Sequence, residues 1–173
     1  YLMAGLLTAR QFFNGADPAE TTLRNDINTL WNAVEWNWFR QGSQNVLYWH
    51  WSPNYAWQMN NKIQGWNECL ITYILAASST TFAIPKVVYT EGFARNGAMQ
   101  NGGSFYGYQL PLGPNNGGPL FWAHYSFLGI NPNGLTDTYA NYQKLSCGNI
   151  LTFNNHGSCP RTNAFRKEVH GHH

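Results

Sequence analysis

Eight acidic residues could supply acid–base or nucleophilic chemistry in this chain: Asp17, Glu20, Asp26, Glu35, Glu68, Glu91, Asp137 and Glu168. Their settings separate them. Asp17 stands before Pro18 with Glu20 three positions on, the pattern of a helix N-cap and a capping box, so both carboxylates are expected to serve backbone amides. Asp26 reads as solvated helix surface, and Glu91 and Asp137 fall in short helical patterns where exposure is the expected state. Glu68 differs, because the segment from Gly65 to Ala77 around it is apolar on nearly every side. A carboxylate there needs either a partner or a job. Desolvation beside Trp66 is expected to raise its pKa, which suits a general acid that holds its proton near neutral pH. Pairing with a helix N-terminus or an arginine is the structural alternative. Glu35 lies toward the end of an amphipathic helical pattern, where a solvated or salt-bridged place competes evenly with a chemical one.

The composition points to what such chemistry would act on. Charged residues make up 10% of the 173-residue chain and aromatics 16%, against about 25% charged in an average soluble domain. Eight Trp, ten Tyr and ten Phe exceed the needs of one small core, so some should line a groove or await a partner. Sugar rings match this supply: their C–H faces stack on aromatic rings, and their hydroxyls seek Asn, Gln, Glu and His. A net charge of +2 without a basic run argues against a nucleic-acid partner. No window approaches the roughly 20 apolar residues of a membrane span. Cys69, Cys147 and Cys159 show no CxxC spacing, and Cys69 reads as a small buried helix residue. The terminal His170, His172 and His173 have no carboxylate to close a ligand set. Nothing in the chain demands a metal or cofactor.

These residues must be positioned by helices. Leu2 to Phe13 reads as a helix ending at Asn14-Gly15, and the opening inside an apolar run points to a fragment of something longer. From the Asp17 cap, Leu23, Ile27, Leu30, Trp31, Val34 and Trp38 carry a second helix to about Phe39. Aromatic alternation over Leu47 to Trp51 and the turn signature Ser52-Pro53-Asn54-Tyr55 predict a short hairpin or ordered loop. A third helix is expected from Gly65 to Ala77, carrying Glu68, and a shorter one from Pro85 to Ala94. The Gly- and Asn-rich stretch from Asn96 to Gly118 reads as a surface loop with a small strand. Phe121 to Leu128 and Thr136 to Tyr142 give two further short helical patterns. From Ser146 onward no amphipathic period remains.

Several Trp-rich segments then fall in a recognisable order: Tyr1 to Ala9, Val34-Glu35-Trp36-Asn37-Trp38-Phe39, Leu47-Tyr48-Trp49-His50-Trp51-Ser52-Pro53, Gly65-Trp66-Asn67-Glu68, Gly117 to Phe121 and Ala123-His124-Tyr125-Ser126. Together they resemble the bacterial glucoamylase-like family, which includes endo-β-1,2-glucanases and sophorose-releasing enzymes. The resemblance covers about residues 1–142, leaving 143–173 as an unmatched, irregular tail. It implies an all-α fold, an arc of a toroid of six helix pairs, with long aromatic loops and a short hairpin. Family members usually carry a carboxylate-bearing stretch before the first of these segments and more toroid after the last, and where they commonly have Asp after Glu-Trp this chain has Asn37.

The resemblance implies inverting hydrolysis of a β-linked glucan, in which one carboxylic acid protonates the leaving oxygen and a base about 6.5–9.5 Å away activates water. Glu68 is the expected acid and Glu35 the second catalytic candidate. Trp49, His50, Trp51, Trp66, Asn67, His124 and Tyr125 match positions of the family's sugar-facing loops, where they would supply stacking platforms and hydroxyl partners. Taken singly, each Trp reads rather as core, His124 equally as a buried histidine bonded to backbone, and Tyr125 equally as ordinary packing. The partner is an oligo- or polysaccharide, with self-association or a complementing chain expected for an incomplete toroid. A periplasmic or secreted location is implied in the same way. A carbohydrate-binding module without turnover, or an inactive truncated module, stands as the alternative.

Overall fold

The computed structural model describes residues 1–154. The chain is mostly helical, with two small antiparallel hairpins. Helix α1 (Leu2–Phe12) and helix α2 (Pro18–Ala33) pack against each other. The Asp17 carboxylate caps α2, accepting the Ala19 amide at 2.8 Å and the Glu20 amide at 3.4 Å. Glu20 does not close the capping box: its carboxylate accepts from Gly15 N at 2.6 Å, clamping the α1–α2 turn instead.

Helix α2 stops at Ala33 rather than near Phe39. Val34 turns extended, and a separate 3₁₀ turn covers Trp36–Arg40. The break lets Trp36 lie against the buried Trp31, ring centres 5.7 Å apart, and delivers Trp38 and Phe39 to Trp57. Aromatic packing across the chain thus overrides a continuous helical pattern. Strands β1 (Leu47–Tyr48) and β2 (Lys62–Ile63) pair in the expected hairpin, Leu47 opposite Ile63. Residues 49–61 form its long aromatic tip.

Helix α3 (Leu70–Ser78) begins five residues later than the sequence pattern indicates. Gly65 sits at φ +77° and donates its amide to the Phe93 carbonyl at 2.8 Å, a left-handed anchor that glycine adopts without strain. The Asn67 side chain then accepts the Cys69 amide at 2.8 Å, a local bond that competes with helix. Glu68 therefore lies on a loop before α3. Across the core, Lys86 to Phe93 is helical and widens into a π turn over Val88–Phe93. There Gly92 is pressed against β1, and a Cβ at this position would meet Asn45 O at 2.6 Å and Val46 Cα at 2.8 Å.

The Gly- and Asn-rich stretch is only partly a surface loop. It holds the hairpin β3 (Ser104–Phe105) and β4 (Tyr108–Gln109), but Met99, Leu110 and Leu112 are buried and anchor it to the interior. Helix α4 (Leu120–His124) runs into a 3₁₀ turn at Tyr125–Leu128, as the pattern there indicates. Residues 136–141 are not helical: Asp137 accepts the amides of Tyr139 and Ala140 and folds the segment into a turn. Helix α5 (Tyr142–Asn154) then forms, although the sequence from Ser146 onward carries no amphipathic period. Asn141 caps it, accepting the Lys144 amide at 2.9 Å, and Leu145 is fully buried. Gly148 lets the helix lie close on β4, since a Cβ would come within 3.1 Å of Leu110. The boundary drawn at Tyr142 thus coincides with the start of a helix, and residues 143–154 are not irregular. Glu168, Cys159 and the terminal histidines lie outside the described residues. One core joins Leu47, Trp66, Leu70, Tyr73, Val88, Phe93, Leu112 and Leu145. No helix among the described residues is long and apolar enough to cross a membrane.

Candidate active site

Glu68 is held by its backbone. The hydroxyl of Ser126, 1% exposed, donates to the Glu68 carbonyl at 2.9 Å and accepts the Ile71 amide at 3.0 Å, so it caps the first turn of α3 from the far side of the core. Asn67 fixes the same loop from within: besides the Cys69 amide it reaches the Gln64 carbonyl at 3.4 Å. The half-buried Glu68 side chain meets neither an arginine nor a lysine, and no ion pair forms there among the described residues. The pairing offered as the structural alternative is not made with an arginine.

Aromatic rings stand near the Glu68 loop, with Tyr1 within reach of the carboxylate's charge. Tyr1 and Tyr125 meet edge to face at 5.5 Å, and Phe121 meets Tyr125 at 5.9 Å. All three rings are substantially exposed. The Tyr1 hydroxyl lies against the Cys69 thiol, and the charge of Glu68 reaches both groups. Burial first, then Glu68, pushes the Cys69 thiol up to about 11, so Cys69 is a protonated, unreactive thiol at neutral pH. No second carboxylate acts on Tyr1 or Cys69 among the described residues. The arrangement offers one proton donor or acceptor beside an aromatic surface of a kind that sugar rings can stack on.

The other sequence-chosen residues are dispersed. Tyr125 belongs to this surface, and Asn67 is a loop brace. Trp66, expected as a stacking platform, is 4% exposed: Tyr142 packs against it with ring centres 6.0 Å apart, and Gly113 lies against its indole edge. Its face is closed by core packing, which is the correction to that expectation. Trp49 and Trp51 are exposed on the tip of the β1–β2 hairpin, where Trp38 stands 6.1 Å from Trp51 and His50 packs 5.8 Å from Trp49. His124 is half-buried, and burial lowers its pKa while the Ser146 backbone opposes the shift. Glu35 is exposed in the turn after α2 and makes no bond to the Glu68 loop. Glu91 is exposed and accepts from Asn45.

Asp137 departs furthest from its expected surface role. One carboxylate oxygen takes two amides and the other takes the hydroxyls of Tyr89 and Tyr142. Those two hydroxyls also meet each other at 2.8 Å. With its acceptor positions occupied, Asp137 is a structural brace rather than a base. It borders a cavity of about 410 Å³ walled mainly by Tyr73, Ile74, Ile84 and Leu135. Among the described residues no cluster of three or more His, Cys, Asp or Glu could hold a metal ion. Sequence reasoning missed Tyr1, Phe121 and Ser126 as individuals, although a serine inside an apolar helical stretch is the kind of signal that marks a buried bridge.

Residues 60–156 match the family model described as putative glucoamylase, so the similarity continues well beyond Tyr142. The chain is 43% identical over 160 residues to an exo β-1,2-glucooligosaccharide sophorohydrolase (non-reducing end) of Parabacteroides distasonis, covering 82% of this chain and 22% of that protein. Its structure is similar to an endo-β-1,2-glucanase of Chitinophaga pinensis solved with sophorotriose and glucose, at 50% identity and TM-score 0.82 over 87% of this chain and 37% of the other. A glucoamylase-type structure from Bacteroides uniformis matches at 49% identity and TM-score 0.81, again covering 87% of this chain and 37% of the other. The chain spans about a fifth of the length of the curated relative it matches.

Proposed function

The chain belongs to the putative glucoamylase family, and from that premise we propose that it is part of a glycoside hydrolase domain acting on β-1,2-linked glucan by an inverting mechanism, with Glu68 as general acid. The observation that carries this reading is the pinned Glu68 loop beside the exposed rings of Tyr1, Phe121 and Tyr125. A sugar stacked on those rings would bring its glycosidic oxygen to the carboxyl group, which donates a proton as the C–O bond breaks. The base that activates water stands across the ring. In this reading the helices are an arc of an α/α toroid. The apolar side chains left exposed on α1, Leu2 and Phe12, suit contact with further polypeptide that completes it. On the family resemblance alone, we place this protein in the periplasm or outside the cell.

The test is product release from linear β-1,2-glucan, with α-1,4-glucan as control, for the native chain and Glu68→Gln. Loss of the acid is expected to cost about 10²–10⁴ in rate. A folded native chain that releases nothing but still binds the glucan would replace this reading with a carbohydrate-binding module. That no carboxylate besides Glu68 acts on Tyr1 or Cys69 among the described residues is the observation favouring that second reading.

A further inference from the structure

We propose that Ser126 is the positioning residue for the candidate acid: its hydroxyl sets the spacing between the Glu68 carboxyl group and the aromatic surface that would hold the sugar. This rests on the hydrolase reading and assigns that site a further residue. The hydroxyl joins two segments 58 residues apart in sequence, donating to Glu68 and accepting from Ile71. Ser126 follows Tyr125 directly, and the Tyr125 ring contacts Tyr1, whose hydroxyl lies against Cys69, the neighbour of Glu68. Contacts therefore close a ring, from Glu68 through Cys69, Tyr1, Tyr125 and Ser126 back to Glu68. Ser126 is its buried member and the one that ties the acid's backbone to the platform.

A hydroxyl suits this place better than any apolar group. Ile71 lies in the first turn of α3, where the amide has no intrahelical acceptor, and the Glu68 carbonyl precedes the helix. Replacing Ser126 by alanine leaves both buried groups unpaired. The loop can satisfy them only by moving, which carries the Glu68 carboxyl group with it. A displacement on the order of 1 Å can cost about 10²-fold in turnover.

The experiment compares Ser126→Ala, Ser126→Thr and Ser79→Ala in the whole chain. Ser79 is also buried and accepts the Thr81 and Phe82 amides, so its loss controls for stability alone. On linear β-1,2-glucan, Ser126→Ala is expected to lower kcat about 10- to 100-fold with KM little changed. It should also speed modification of the Cys69 thiol by a disulfide reagent, located by peptide mass. Ser126→Thr keeps the hydroxyl and should restore most of both, and Ser79→Ala should move neither. Unchanged kcat and unchanged Cys69 reactivity in Ser126→Ala would overturn the proposal. If the native chain shows no turnover, the hydrolase reading fails, while the Cys69 rate still judges whether Ser126 holds the loop. If the variants do not fold, amide exchange in the native chain decides: Ile71 is expected to be protected like the middle of α3, and exchange as fast as an uncapped first turn would refute the bridge.

Discussion

Replacing Tyr73 by phenylalanine should loosen the hairpin that carries the exposed tryptophans. Tyr73 comes from α3, is 1% exposed, and places its hydroxyl between the two strands. The hydroxyl accepts the Leu47 amide at 2.9 Å and donates to the Ile63 carbonyl at 2.7 Å. Leu47 and Ile63 are register partners, so the phenol adds a bond on each side of that ladder pair. Phenylalanine keeps the ring packing on Phe93 but takes the hydroxyl away from a buried donor and a buried acceptor. Each lost bond costs about 0.5–1.5 kcal/mol, so the variant is expected to lose about 1–3 kcal/mol. Urea unfolding followed by tryptophan fluorescence measures the loss, and limited proteolysis should cut first within residues 49–61. The opposite outcome is specific. If the ladder pair tightens and makes up the two bonds, the loss falls below about 0.5 kcal/mol and the hydroxyl is no more than a spacer.

Three further outcomes follow from the same contacts. Gly92→Ala would force a Cβ onto backbone atoms of residues 45 and 46, and a drop of about 1–3 kcal/mol or more in unfolding free energy is expected; a neutral variant would show that the π turn can shift. Reaction of Cys69 with a thiol reagent should stay slow at pH 8 and rise toward about pH 11 in the folded chain, because its raised pKa keeps the neutral form. A half-rate near pH 9 would refute that setting. The neutral imidazole of half-buried His124 contributes stability that is complete above its ordinary value of 6.5 and is lost as pH falls below it, since the unfolded chain takes up the proton first. The urea midpoint should therefore fall more steeply below about pH 6.5 in the native chain than in His124→Gln.

Much of the helical content was legible because the signals are local. The Asp17-Pro18 cap and the Asn14-Gly15 stop predict α1 and α2 from neighbouring residues, and α1 ends within a residue of its expected stop. Where long-range packing decides, the pattern misleads. Trp38 continues the apolar face of α2, yet the chain breaks at Val34 so that Trp36 can meet Trp31. Asp137 reads as surface because nothing nearby reveals Tyr89, 48 residues away.

The sequence by itself determined the family, through Trp-rich segments in a fixed order, and singled out Glu68, because a carboxylate amid apolar residues is conspicuous without coordinates. Tertiary structure alone decided which aromatics are available. Trp66 and Tyr125 look alike as candidates, but Tyr142 closes the face of one and the other stays open at the surface. It also decided how Glu68 is held. A buried hydroxyl that pairs with groups 55 and 58 residues away leaves no periodic trace in sequence, since hydrogen bonding depends on where chains meet and not on how residues are spaced.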